Sequence, residues 1–410
     1  MSAKPYDAVV FGATSFVGKL LCRYLAKHFS SAELTWAAAG RSLEKLEQMR
    51  LSLDPKASGV PLIIADATDG PSLAAMCAQA RAVVSTVGPY AFYGEPLVKA
   101  CADLGTDYCD VTGEVQWIRR MLDRYEPTAK RTGARIVNCC GFDSVPSDLG
   151  VHFVQREAKQ RYGRYCAHVK MRVKAVRGGA SGGTIASLFN VAKEAAADPA
   201  LRKELQNPYA LCPKDRRPKT RQQSLSAPHF DSDFQSWLAP FIMAAINTRV
   251  VHRSNALMNY AYGEQFRYDE AMLAGRGMRG RLSAYAIAGA LGGFVGLTAI
   301  APTRWFLQRF VLPAPGEGPS PDSQAKGFYD LRFLGLLDDG RFIRATITGD
   351  ADPGYGSTSK MLGQAAVCLA RHDKREGGFW TPATLFGDTL IEALQKHAGL
   401  SFVSLDSPPR

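Results

Sequence analysis

Acidic side chains are scarce in this chain, and the patterns that mark several ligand-binding classes are missing. Thirty-eight Asp and Glu face 50 Lys and Arg, a formal charge of +12 over 410 residues. That surplus favours anionic partners: a phosphorylated cofactor, a phosphopantetheine-carrying protein or an anionic lipid surface. No Lys/Arg-rich motif is interleaved with stacking aromatics, which argues against nucleic acid as the partner. The nine cysteines lack metal-ligand spacing; Cys139 and Cys140 are adjacent, and the rest are scattered through apolar segments. Reduced, mostly buried thiols are therefore expected, and no metal site. Internal repeats are absent, and no Cys–His or Ser–His pairing points to a covalent mechanism. The opening Met-Ser-Ala-Lys runs into a strand pattern without a charged leader and apolar stretch, so a cytoplasmic location is expected.

What is present has the texture of a globular protein, 46% hydrophobic and 21% charged, and too long for one ordinary core. Short apolar runs at Tyr6–Phe11, Leu34–Ala39, Leu62–Ala65, Ala82–Val87, Asp107–Val111 and Arg135–Cys139 alternate with helical patterns. Such alternation over short connections predicts an α/β fold, a Rossmann-type doubly wound parallel sheet. After Pro146 the texture changes. Ala167–Val176 alternates like a half-exposed strand, Arg177–Thr184 is a glycine-rich turn, and Asn207–Phe234 reads as a long basic loop. Phe241–Asn255 reads as a helix, and Lys326–Thr348 as two strands turned at Asp338-Asp339-Gly340. A second, α+β domain containing an antiparallel sheet follows. The expected division is 1–150, completed by 355–410, against 151–354.

The stretch "VVFGATSFVG" (Val9–Gly18) stands between the first strand and the first helix, where a dinucleotide turn belongs. Gly12 and Gly18 take the outer glycine places, while Ser15 stands in the middle one. A serine adds little bulk and can offer its hydroxyl to a phosphate at the helix N-terminus. The residues expected to touch a dinucleotide here are Gly12, Thr14, Ser15, Phe16, Val17 and Gly18. After the second strand an acidic residue would read the ribose of NAD; this chain has Gly40, Arg41 and Ser42. A guanidinium suits a 2′-phosphate, so NADPH is the expected cofactor; the bland alternative is a solvated arginine. Asp66, after the third strand, suits an adenine contact or a helix cap.

Beyond the fourth strand, Val87, Gly88, Pro89 and Tyr90 are expected on the nicotinamide side. Tyr90 and Tyr93 are candidate proton donors, with aromatic packing as the competing reading. Asp143 and Ser144, after the sixth strand, are candidates for orienting substrate or for capping the next helix.

"FGATSFVG", "AAAGRSLEKL", "VGPYAFYGEPLVKAC", "DVTGE" and "GFDSVPSDLG" together resemble, in order and spacing, the saccharopine dehydrogenase-like oxidoreductases. With "GGASGGTIAS" and "GDADPGYGSTSKML", nearly the whole chain resembles the branch of bacterial trans-acting enoyl reductases. Ser15 departs from the glycine common at its place in that family. The resemblance implies NADPH-dependent reduction of the C=C bond of an α,β-unsaturated acyl or polyketide thioester in lipid biosynthesis, with an acyl carrier protein as a candidate carrier. Charge developing on the thioester enolate needs donors at oxygen and a proton at the α-carbon. The amides of Gly178–Thr184 are candidate donors, or else form only a strand-to-helix turn. Two other readings stay open: a saccharopine-type amino-acid dehydrogenase, and a non-catalytic NADP-binding protein associated with lipid or membrane.

One long apolar run bears on that choice. Ala284–Ala301 carries no charge, is flanked by Arg276, Arg279, Arg281, Arg304 and Arg309, and pairs Gly289 with Gly293 and Gly292 with Gly296. It reads as a bilayer span, as a peripheral membrane contact or wall for an acyl chain, or as a buried or homodimer-forming helix.

Overall fold

From Tyr6 onward strand and helix alternate, and the first three helices are each opened by a polar residue that satisfies an early amide. The order is β1 (Tyr6–Phe11), α1 (Phe16–His28), β2 (Trp36–Gly40), α2 (Leu43–Leu51), β3 (Leu62–Ile64) and α3 (Gly70–Gln79). There follow β4 (Ala80–Ser85), α4 (Tyr90–Tyr93), α5 (Glu95–Leu104), β5 (Asp107–Asp110), α6 (Val115–Thr132) and β6 (Arg135–Val137). Ser15, Ser42 and Asp69 accept amide hydrogen bonds at the starts of α1, α2 and α3. The computed structural model describes residues 4–178, 197–299, 326–371 and 375–405, with 187, 190, 191, 193–195, 318, 320, 322 and 324 between them.

These strands are parallel; the inner ones are largely buried on both faces, while β3 at the edge is partly exposed. β1 lies between β2 and β4, so the strand order reverses there and a crevice opens at the carboxyl ends of β1 and β4.

α7 (Val145–Tyr162) carries the chain from β6 onto a second seven-stranded sheet. Its members are β7 (His168–Arg177), β8 (His229–Asp231), β9 (Ser236–Pro240), β10 (Arg267–Gly275), β11 (Phe328–Leu336), β12 (Phe342–Gly349) and β14 (Leu400–Leu405). The expected hairpin is present as β11 and β12, eight residue pairs in register. The sheet is mixed rather than purely antiparallel, because β7 and β10 run parallel. The long excursion between Arg177 and Arg267 permits this. It contains α8 (Pro199–Gln206) and α9 (Ala244–Leu257), and β8 lies inside the stretch expected to be loop. At the centre, buried Arg172 bridges Asp231 (2.8 Å) and Asp269 (2.7 Å), so these charges compensate one another.

Segment 284–301 lies, as far as Ala299, in α10 (Gly277–Ala299); residues 300 and 301 fall outside the described residues. Ala284 is buried, while Met278, Leu282 and Tyr285 on the opposite side are 66%, 65% and 52% exposed. No helix among the described residues is long and apolar enough to cross a membrane.

The last part of the chain serves both sheets. α11 (Thr358–Arg371) packs on α1, β1, β4 and β5, and β13 (Gly378–Trp380) pairs with β6 at the edge of the first sheet. α12 (Pro382–Leu385) packs on α7, and α13 (Asp388–His397) on α11. β14, however, pairs with β12, so 400–405 does not return to the first sheet as expected. Its inward Leu400 and Phe402 require an apolar face, and Phe402 finds Phe153 at 5.9 Å. All nine cysteines are buried and free.

Candidate active site

The turn after β1 is held by four hydroxyl contacts and two close approaches. Gly12 has φ +85°, and a Cβ there would sit 2.7 Å from Thr86 Oγ1 and Val87 Cγ2. A Cβ on Gly18 would lie 2.1 Å from the Gly12 carbonyl oxygen, so the first turn of α1 can pack against β1 only with glycine there. Ser15 Oγ accepts from the Gly18 amide (2.9 Å) and lies 2.9 Å from Thr86 Oγ1. Thr86 Oγ1 is itself 3.0 Å from the Gly12 carbonyl oxygen and 3.3 Å from that of Phe11. When Thr86 donates its one proton to a carbonyl, Ser15 donates to Thr86. The serine hydroxyl thus latches the turn to the end of β4 instead of standing ready for a phosphate. The amides of Phe16 and Val17 open α1 and have no intrahelical acceptor. Those amides, with the tight cradle at Gly12, fit a pyrophosphate. Thr14 flanks them, half-buried.

At the end of β2, Gly40 is buried, Ser42 caps α2 and Arg41 is exposed. The Arg41 side chain has no hydrogen bond or ion pair among the described residues. Asp66 Oδ1 accepts from the Thr68 amide (2.8 Å) and hydroxyl (2.7 Å). These bonds, and then the Arg41 charge, hold its carboxyl below the usual range. Asp66 thus closes the short 66–68 turn and is not the helix cap, which is Asp69, and Arg41 is its cationic neighbour.

Val87, Gly88 and Pro89 lead from β4 into α4, whose first residue is buried Tyr90. Tyr90 Oη donates to the Ser85 carbonyl (3.0 Å) and accepts from the Val111 amide (3.3 Å), and its ring packs 5.4 Å from Trp117. Burial pushes this phenol well above its ordinary value. The proton-donor reading of Tyr90 gives way to aromatic packing: the hydroxyl is engaged and inaccessible. Tyr93, at the end of α4, is 43% exposed and packs edge-on to Phe92.

Sequence reasoning missed the carboxylates that tie the strand ends together. Asp110, at the end of β5, accepts from the Thr112 amide, Asn138 Nδ2, Tyr108 Oη and the Cys139 amide. Even so, burial lifts it to about 6. Glu114 accepts from the amides of Tyr90 (2.9 Å) and Ala91 (3.0 Å) and from Ser187 Oγ (2.8 Å). Ser144 donates to Asn247 Oδ1 (3.1 Å), and Asn247 Nδ2 donates to Glu270 (2.9 Å), so a polar chain joins the end of β6 to β10. The helix start at Ser144 thus turns its hydroxyl to Asn247 and makes no side-chain cap. An acidic residue four positions beyond a strand was the available signal for Glu114 ("DVTGE"). Nothing in the sequence marked Asn247 or Glu270.

Asp143 differs from all of these. It is half-buried beyond β6, with Oδ2 3.6 Å from where a Cβ on Gly113 would stand. Its carboxylate has no hydrogen-bond partner among the described residues, and burial alone pushes it to about 7. Of the Gly178–Thr184 turn only Gly178 belongs to the described residues. A Cβ there would meet Asp352 Oδ1 at 2.2 Å and Pro353 Cδ at 2.5 Å, which brings β7 against the 352–357 turn. That turn in turn touches the dinucleotide loop through Tyr355 and Phe16, ring centroids 4.7 Å apart.

Comparison with known proteins agrees with this geometry. The saccharopine dehydrogenase NADP binding domain matches residues 8–137, the segment from β1 to β6. A Mycobacterium tuberculosis protein named as a trans-acting enoyl reductase is 40% identical over 98% of each chain. The trans-acting enoyl reductase of Mycobacterium bovis is 38% identical over 95% of this chain and 96% of its own. Saccharopine dehydrogenase (L-Glu forming) from Saccharomyces cerevisiae shares the fold, with a TM-score of 0.53 at 13% identity, covering 98% of this chain and all of the other. The chain is an NADP-dependent oxidoreductase and belongs to the saccharopine dehydrogenase-like family, in the branch of the trans-acting enoyl reductases.

Proposed function

We propose that the protein reduces the C=C bond of an α,β-unsaturated acyl or polyketide thioester in lipid biosynthesis, with Asp143 as the proton donor. The names of the full-length relatives support the reaction. The observation that carries the residue assignment is the Asp143 carboxyl, without a partner among the described residues and raised to about 7, beyond β6 and beside Gly113. NADPH, when bound, supplies the hydride for the β-carbon. In this reading, residues 1–150 with most of 355–405 hold the cofactor, and the second sheet receives the substrate, on an acyl carrier protein or free. The Phe16 and Val17 amides bind the pyrophosphate, and Arg41 pairs with the 2′-phosphate.

Reduction leaves an enolate whose α-carbon needs a proton. A carboxyl at its usual value is ionised at neutral pH and has none to give; Asp143 is about half protonated there. Because it is only half-buried, it can recover its proton from water after each turnover. Asp110 and Glu114, with every oxygen engaged, fix the walls and take no part in the transfer. Tyr93 is assigned to the rim as a packing residue.

The exposed side of α10, with Met278, Leu282 and Tyr285 behind Arg276 and Arg279, we assign to an anionic lipid surface. Leu282→Asp is expected to reduce co-flotation with phosphatidylserine vesicles severalfold; unchanged flotation rejects the assignment.

Two further outcomes are expected. Asp143→Asn lowers kcat roughly 10²–10⁴-fold. In the native enzyme the protonated acid prevails below about 7, so kcat falls as pH rises through that value. A pH-rate profile that is flat from 6 to 8, or unaltered in the variant, removes Asp143 from the reaction. Arg41→Ala is expected to weaken NADPH binding about tenfold or more while leaving NADH nearly unchanged, read by nucleotide fluorescence titration. Equal losses for the two nucleotides show that Arg41 does not read the phosphate.

A further inference from the structure

A cavity of about 460 Å³ opens where β7 and β10 begin, closed on one side by the loop 221–224. His168, Arg221, Gln222, Gln223, Ser224, Arg267, Tyr268 and Asp269 form its wall. It is remote from the crevice: β7 starts here at His168 and ends at Arg177, beside the 352–357 turn. Ten residues of strand separate the two ends, about 30 Å at ~3.3 Å per residue.

Two features of this cavity point to a ligand. The loop that closes it is anchored. Gln222 donates to Tyr209 Oη (2.6 Å) and to the Phe266 carbonyl (3.0 Å), and accepts from the Tyr268 amide (3.2 Å). The wall is therefore formed before any ligand arrives. Its charge is also unbalanced. Asp269 is the acidic member, and both its oxygens are engaged, Oδ1 by Arg172 (2.7 Å) and Oδ2 by His168 (2.6 Å). The guanidinium groups of Arg221 and Arg267 have no hydrogen bond or ion pair among the described residues. Two unmatched guanidinium groups, with the amide of Gln223 and the hydroxyl of Ser224 beside them, supply the charge and the donors that a tetrahedral dianion requires.

We propose that this cavity is a second anion site, distinct from the dinucleotide crevice, which binds the phosphate dianion of a small phosphomonoester or free phosphate. The site is independent of the enoyl reductase reading, so its failure would leave that reading intact.

The test is calorimetric titration of the full chain, carrying one equivalent of NADP⁺, with inorganic phosphate and separately with glycerol 3-phosphate. Saturable binding is expected. Arg221→Gln and Arg267→Gln each weaken it about tenfold or more, with NADP⁺ affinity unchanged. Tighter binding of glycerol 3-phosphate than of inorganic phosphate identifies an esterified ligand, and the reverse identifies free phosphate. No saturable binding of either probe, or binding that both variants retain, overturns the proposal. Both residues lie on the surface, and a melting curve matching the native protein shows that each variant is folded.

Discussion

A carboxylate taken out of water must find donors or surrender its charge, and that constraint shapes the carboxyl end of the first sheet. Asp110 gathers two amides, an asparagine and a tyrosine, and thereby sets β5 against the turn after β6. Glu114 gathers the first two amides of α4 and a serine, and so fixes the turn that leaves β4. Glu270, reached through Ser144 and Asn247, ties that same edge to the second sheet, with Tyr268 donating to its other oxygen (2.6 Å). Asp148 is matched in the same way by Ser254 and the Ala383 amide. With these walls satisfied from within the protein, the Asp143 carboxyl has no donor among the described residues. Burial alone pushes Asp143 to about 7; Asp148 and Glu270 are pushed as far by burial in spite of their donors, so what sets Asp143 apart is its unengaged carboxyl.

The dinucleotide turn obeys the same economy of contacts. Close packing of α1 on β1 demands glycine at positions 12 and 18, where any side chain would strike the backbone or the end of β4. Position 15 faces no such obstruction, and its serine is put to use as a helix cap and as a latch to Thr86. The turn is thus preorganised by its own hydroxyls, and the helix amides remain for the ligand.

Six strands of the first sheet were legible because they are short runs bounded by turn residues, and local pattern suffices for that; the seventh, β13, is three residues long and comes from the far end of the chain. Gly12 and Arg41 could be picked out because they follow β1 and β2 directly, and Gly18 and Asp143 because they lie in the turns and helix starts beyond β1 and β6. The second sheet was less legible. His229–Asp231 is too short for alternation to show, and β10 mixes Asp269 and Glu270 into its core, where they serve Arg172 and Asn247. The place of β14 beside β12 rests on Phe402 meeting Phe153, a contact far apart in the chain. The choice between the two readings of Tyr90 was hidden for the same reason: its partners, Ser85 and Val111, come from two strand ends that only the fold brings together. Local sequence records what a segment prefers; it does not record which polar groups are already taken.

The central claim is that Asp143 is the carboxyl left unmatched, and its ionisation can be observed directly. In protein labelled with ¹³C at the aspartate carboxyl carbons, the Asp143 resonance, assigned by its absence in Asp143→Asn, is followed across pH by NMR. A midpoint near 7 is expected. A midpoint in the ordinary carboxylate range, near 4, would mean that Asp143 is solvated or paired, and would contradict its role as the acid.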